Sequence, residues 1–149
     1  MLQYYNNISL YGNENWKLVD KFKSHYKGYL RTTQEMNQAY NEHTYLLHDT
    51  SLLHFRVFDA MSAGLITLKA DDSGYGSKDE FHLLDFKEEM DIFTYSLNDF
   101  KQTAEKVKSV SVKYIEDVQY SIRDKIIASN TWKSMAQKIL DDVDMIEKV

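Results

Sequence analysis

The sequence predicts an α/β fold, with a mainly parallel sheet of about five strands flanked by helices and then a helical C-terminal segment. Three observations carry that expectation. Strand-sized apolar runs alternate with helical patterns over the first 97 residues. From Asn98 onward the runs cease, and three successive segments place apolar residues at three-and-four spacing. No internal repeat, low-complexity tract or Gly/Ser-rich linker divides the chain, so all 149 residues are read as one domain.

The strand-sized runs, rich in β-branched and aromatic residues, are ISLYG (8–12), YKGYL (26–30), TYLLHD (44–49), LITLKA (65–70) and DIFTYS (91–96). Between them lie WKLVDKFKSH, TTQEMNQAYNEH, LLHFRVFDAMSAG (52–64) and a weaker SKDEFHLLDFKEE. Thr32 followed by Glu35 has the form of a capping box, which fixes one helix start. Right-handed crossovers are expected between parallel strands. The last three helices are NDFKQTAEKVKSV, SVKYIEDVQYSIRDKIIAS and TWKSMAQKILDDVDMIEKV, with Asn98 and Thr131 as N-caps. Val107, Val110, Tyr114, Val118 and Ile122 form an apolar stripe, expected to pack against the sheet rather than to bind a partner.

Composition sets limits. Hydrophobic residues make up 43% and charged residues 28%, ordinary for a globular domain. A compact domain of this length buries roughly 70% of the surface its unfolded chain exposes. With no cysteine, disulfides and thiolate chemistry are excluded. Neither a leader-like segment nor an uninterrupted apolar run of about 20 residues occurs, so no transmembrane segment is expected and a cytoplasmic location is the default. A net charge of −5 without a long basic run argues against a nucleic-acid partner.

The segment 52–64 poses a question: it is apolar around most of its axis, as a buried helix would be, yet carries Arg56 and Asp59. Three apart, they share a face. Either they form an ion pair, or their strip faces a cleft in which an anionic, hydroxylated ligand satisfies both. Position favours the cleft, because the helix should emerge at the C-terminal end of a central strand, where open α/β sheets place ligands. Backbone amides near Thr50, Ser51 and Leu52 are expected to form a small anion site. Arg56 would add a forked donor to a diphosphate, and Asp59 would accept from sugar hydroxyls. A nucleotide sugar presents those groups in that order.

At RVFDAMSAGLITL, from Arg56 to Leu68, the chain resembles the donor-binding C-terminal half of GT-B-fold glycosyltransferases, in the "glycosyl transferases group 1" branch that includes spore-maturation-type proteins. ISLYGNENW and YKGYLRTTQEMNQAY are similar to that family's glycine-bearing strand and its G-x-L segment with following helix, and NTWKSMAQKIL to its closing Thr-aromatic helix. The likeness covers roughly residues 6 to 140 and implies a Rossmann-like domain. It also implies a nucleoside-diphosphate sugar as donor, with an unspecified sugar acceptor. Asp59 falls where the family has a glutamate on the ribose. Arg56, as the catalytic group, and the amides at Ser51 and Leu52 fall at the diphosphate, and Gly28, Tyr29 and Leu30 fall beside the base. Ser73 and Gly74, in the loop after LITLKA, fall in the sugar-contacting region.

The sequence departs from the family in three ways. Aspartate replaces the usual glutamate, and Ser51 stands where many retaining members carry an acid. The family's donor half also begins with a further strand and helix, preceded by an N-terminal acceptor domain, so the resemblance implies a fragment, by itself inactive, or a degenerate relative.

No metal or cofactor is required by this reading. Asp71 and Asp72 lack Asp-x-Asp spacing, the five histidines form no zinc pattern, and neither GxGxxG nor GxxxxGK[ST] occurs. Two rival functions remain, a non-catalytic nucleotide- or sugar-binding module and a receiver-like interaction domain. Against the second, ADDSG follows the fourth predicted strand, whereas the receiver acidic pair should follow the first.

Overall fold

A computed structural model describes residues 7–72, 74, 76, 80–81, 86–88, 90–129 and 131–146. It is an α/β structure in which five strands among the described residues form two parallel sheets. The first sheet pairs β1 (Leu10–Tyr11) with β2 (Tyr26–Gly28). The second has the order β3 (Tyr45–His48), β4 (Ile66–Asp71), β5 (Ile92–Ser96), with Tyr45 opposite Ile66 and Thr67 opposite Ile92.

All five expected strands form: β1, β2 and β3 are shorter than their runs, β5 starts one residue later, and β4 is shifted by one to end at Asp71. The helix expected over WKLVDKFKSH does not form as one piece. A 3-10 turn over Glu14–Leu18 is followed, after an extended Val19, by the four-residue α1 (Asp20–Lys23). Trp16, Leu18 and Val19 stay exposed, and a short helix without a packed apolar face has little to hold it. In α2 (Thr33–Asn41) the expected capping box is present. The Glu35 amide donates to the Thr32 hydroxyl at 3.1 Å, and the Glu35 carboxylate accepts from the Thr32 amide at 3.0 Å. The backbone amides of Arg31 and Thr32 hold the Glu35 carboxyl below its ordinary pKa.

The segment 52–64 is helical only over α3 (Phe55–Ser62). Val57, Ala60 and Met61 are buried while Phe55 is 63% exposed, so the helix buries one side instead of being enclosed. Most of SKDEFHLLDFKEE lies outside the described residues. Phe81 and Phe86 are buried in the core, and Glu88 makes an isolated parallel bridge to Ile92 rather than a helical turn.

Three C-terminal helices follow: α4 (Lys101–Ser109), α5 (Val112–Ser129) and α6 (Trp132–Ile146). Asn98 does not cap α4. The N-cap position is Phe100, and it is Asp99 that accepts from the Lys101 amide at 2.9 Å. Thr131 does cap α6, accepting from the Ser134 amide at 3.1 Å. The stripe from Val107 to Ile122 is split between α4 and α5. All five of its residues nevertheless belong to or pack against the core around β4 and β5.

Within that core β4 is buried from Ile66 to Ala70, as a central parallel strand covered on both faces should be. Asp91, 2% exposed, is held at the start of β5 by the Lys87 amide, the Ser121 hydroxyl and the Lys125 ammonium. No helix among the described residues is long and apolar enough to cross a membrane.

Candidate functional site

A cleft of about 1530 Å³ runs along β1 and β3, from residues 7–8 and 43–44 before them to their C-terminal ends, where residues 29–30 and the start of α3 also line it. Its rim carries Gly12, Tyr29, Leu30, Leu52, His54 and Arg56. This is the sheet end at which α/β proteins place ligands, because strand-to-helix loops there turn backbone donors outward.

Arg56 is exposed and lines the cleft, with its guanidinium carbon 5.8 Å from the Phe55 ring centroid. Asp59 is exposed as well, and no ion pair joins the two. Asp59 is not among the cleft-lining residues. Side chains three apart on a helix diverge by about 60°, enough to turn one toward the rim and the other past it. Tyr40, at the end of α2, lies beside both. Burial raises its phenol pKa, the Asp59 charge raises it further and the Arg56 charge lowers it.

The loop between β3 and α3 is tightly tied. The Thr50 hydroxyl donates to Asp72 at 2.9 Å and accepts from the Leu52 amide at 3.1 Å. His48 donates from Nε2 to the Leu52 carbonyl at 2.7 Å. Glu80 clasps the loop twice: its carboxylate accepts from the Leu53 amide at 2.8 Å and its amide donates to the Ser51 carbonyl at 3.2 Å. Ser51 is 2% exposed and does not line the cleft. At the helix start His54 Nδ1 accepts from the Arg56 amide at 3.3 Å.

The Leu52 amide already donates to a hydroxyl and the next amide to a carboxylate, so the loop offers a phosphate less than its position implied. Arg56 remains the rim's exposed guanidinium.

Tyr29 and Leu30 line the cleft, but Gly28 does not. Its part is conformational: at φ +116° it ends β2 in a backbone state that side chains disfavour, and its carbonyl accepts from the Gly12 amide at 2.9 Å. Gly74 is exposed and does not line the cleft, and Ser73 lies outside the described residues. Under the rim, the Tyr95 hydroxyl donates to the His48 carbonyl at 3.0 Å. Burial, and after it the charges of Asp49 and Asp72, push this phenol up to about 12. Two carboxylates therefore stand near this sheet end, a field that opposes an anion.

Tyr40 and Glu80 had no signal in the sequence. Tyr40 reads as part of an ordinary helix, and the Glu80 contact spans 27 positions. No group of three or more His, Cys, Asp or Glu among the described residues is arranged to hold a metal ion.

No curated protein and no solved structure shows a significant similarity to the chain. Residues 2–141, nearly its whole length, match the protein family described as glycosyl transferase-like. The α/β architecture with parallel strands and a cleft that reaches their C-terminal ends is compatible with that match. On that match, the chain belongs to the glycosyl transferase-like family.

Proposed function

We propose that the chain is the donor-binding, GT-B C-terminal-type domain of a nucleotide-sugar-dependent glycosyltransferase, of the branch that includes spore-maturation-type proteins. One observation carries the reading. Arg56 stands exposed on the rim of the cleft along β1 and β3, without Asp59 as an ion-pair partner.

In such a transfer the bond between the anomeric carbon and the diphosphate oxygen breaks, and negative charge grows on the leaving phosphate. The Arg56 guanidinium offers a forked donor to that charge and stabilises it more as the bond lengthens. Tyr29 and Leu30 supply an apolar edge for the base. Because the Leu52 and Leu53 amides are already engaged, the diphosphate depends on Arg56 more than on the loop backbone.

The experiment is calorimetric titration with UDP- and GDP-sugars, for the chain and for Arg56→Ala. Binding is expected to be weak in the parent and at least about tenfold weaker in the variant, with unchanged thermal stability. Equal affinity in the two proteins would remove Arg56 from the phosphate site.

A further inference from the structure

No described side chain of α6 belongs to the core, whereas α5, which precedes it, buries Val118, Ile122 and Ile126. Yet α6 is not a polar helix. Trp132 is 86% exposed, Ile139 63% and Leu140 59%, and Met135, Ala136 and Val143 are exposed too. At 3.6 residues per turn these six fall within an arc of about 140°, and Lys133, Gln137, Lys138, Asp141 and Asp142 fall outside it. Trp132, Ala136, Ile139 and Val143 follow one another at steps of four, three and four, the spacing of a seam between two paired helices. A helix of 15 residues is marginal in water by itself, and burial of such a stripe is what normally stabilises it.

The charges indicate the direction in which a partner helix runs. A lone helix is favoured by acids in its first turn and bases in its last. α6 has neither: Lys133 stands in the first turn, and Asp141 and Asp142 stand in the second half. A second α6 running antiparallel relieves both conflicts, since the lysine-bearing start of each then lies beside the aspartates and the carbonyl end of the other. Running parallel, it would set like charges level. The stripe is thus its own complement across a twofold axis, the commonest symmetry of soluble assemblies. Two stripes of this length facing each other bury on the order of 1,000 Å², the threshold of a specific interface.

We infer that α6 pairs antiparallel with α6 of a second copy of this chain, about a twofold axis at the middle of the stripe, between Ala136 and Ile139. Trp132 of one copy then faces Val143 of the other, and Lys133 lies level with Asp142 of the other. Because the interface is small, the pair is reversible and forms at micromolar concentrations. The inference is independent of the proposed donor, since α6 does not line the cleft.

The test is sedimentation equilibrium of the 149-residue chain from low micromolar to submillimolar concentration. The mean mass is expected to rise from one chain toward two. Ile139→Asp should weaken association at least about a hundredfold. Urea unfolding of the dilute variant should match the parent, because that side chain is already exposed. The chain has no cysteine, so introduced thiols report orientation without interference. Mixed and mildly oxidised, Trp132→Cys and Val143→Cys should cross-link to each other, and each far less to itself. A single-chain mass at every concentration would overturn the inference, and so would association that Ile139→Asp leaves intact, which would place the contact elsewhere. Val143→Cys that cross-links chiefly to itself would also overturn it, since parallel helices bring that position level and antiparallel ones do not.

Discussion

The sheet of β3, β4 and β5 and the pair β1 and β2 are built from similar runs, but only the former sits in a core. Among the described residues every buried apolar side chain except Ala39 lies at or after Val57. In the larger sheet β4 and β5 share a core with α3, α4 and α5 and with Phe81 and Phe86, while β3 stays partly exposed. β1 and β2 are backed by a 3-10 turn and a four-residue helix, and are held by bonds such as that from the Tyr26 hydroxyl to the Gly12 carbonyl, 2.9 Å. The difference teaches that strand propensity places a strand, while burial of both its faces stabilises it.

The largest expected effect tests that division directly. Ile122→Ala, at a wholly buried position, should cost about 3–4 kcal/mol in urea unfolding. Trp16→Ala, whose ring stacks edge-on against Phe22 at 5.3 Å but is 40% exposed, should cost about 1 kcal/mol. Comparable losses would break the comparison.

A smaller effect sharpens it at the point where the core supports the rim. Tyr95→Phe removes the hydroxyl bound to the His48 carbonyl and should cost about 1–2 kcal/mol at neutral pH. The parent should also lose stability as pH rises from 10.0, the ordinary phenol value, towards about 12. Over that interval the unfolded chain has released the Tyr95 proton while the folded chain retains it, so unfolding is increasingly favoured. Thermal melts across this range should show a shallower decline in the Phe variant.

The smallest effect is local. Thr32→Ala removes the N-cap of α2, on the sparsely packed side, and should cost about 1 kcal/mol. It should speed exchange of the α2 amides far more than those of β4. A matching change in β4 would mean that α2 and the core unfold together.

Much of this was legible in the residues. The five strand runs and the Thr32–Glu35 box rest on short-range spacing, and spacing survives folding. Where the reading departs from the structure, a distant partner decided. Glu80 takes the Leu53 amide, and the stripe from Val107 to Ile122 breaks between α4 and α5 while both parts still reach the core. Asp99 replaced Asn98 as acceptor for the α4 amide, a shift of one position that propensity does not resolve because both residues favour the role.

The sequence by itself determined the α/β class, the order of elements and the placing of Arg56 and Asp59 one turn apart beyond a strand end, because each follows from periodicity and local hydrogen bonding. Tertiary structure alone decided that Arg56 faces the cleft while Asp59 does not, and that the strands form two sheets with an open slot between them. Those outcomes depend on which surfaces find apolar or hydrogen-bonding partners across long stretches of chain, and no local pattern encodes that.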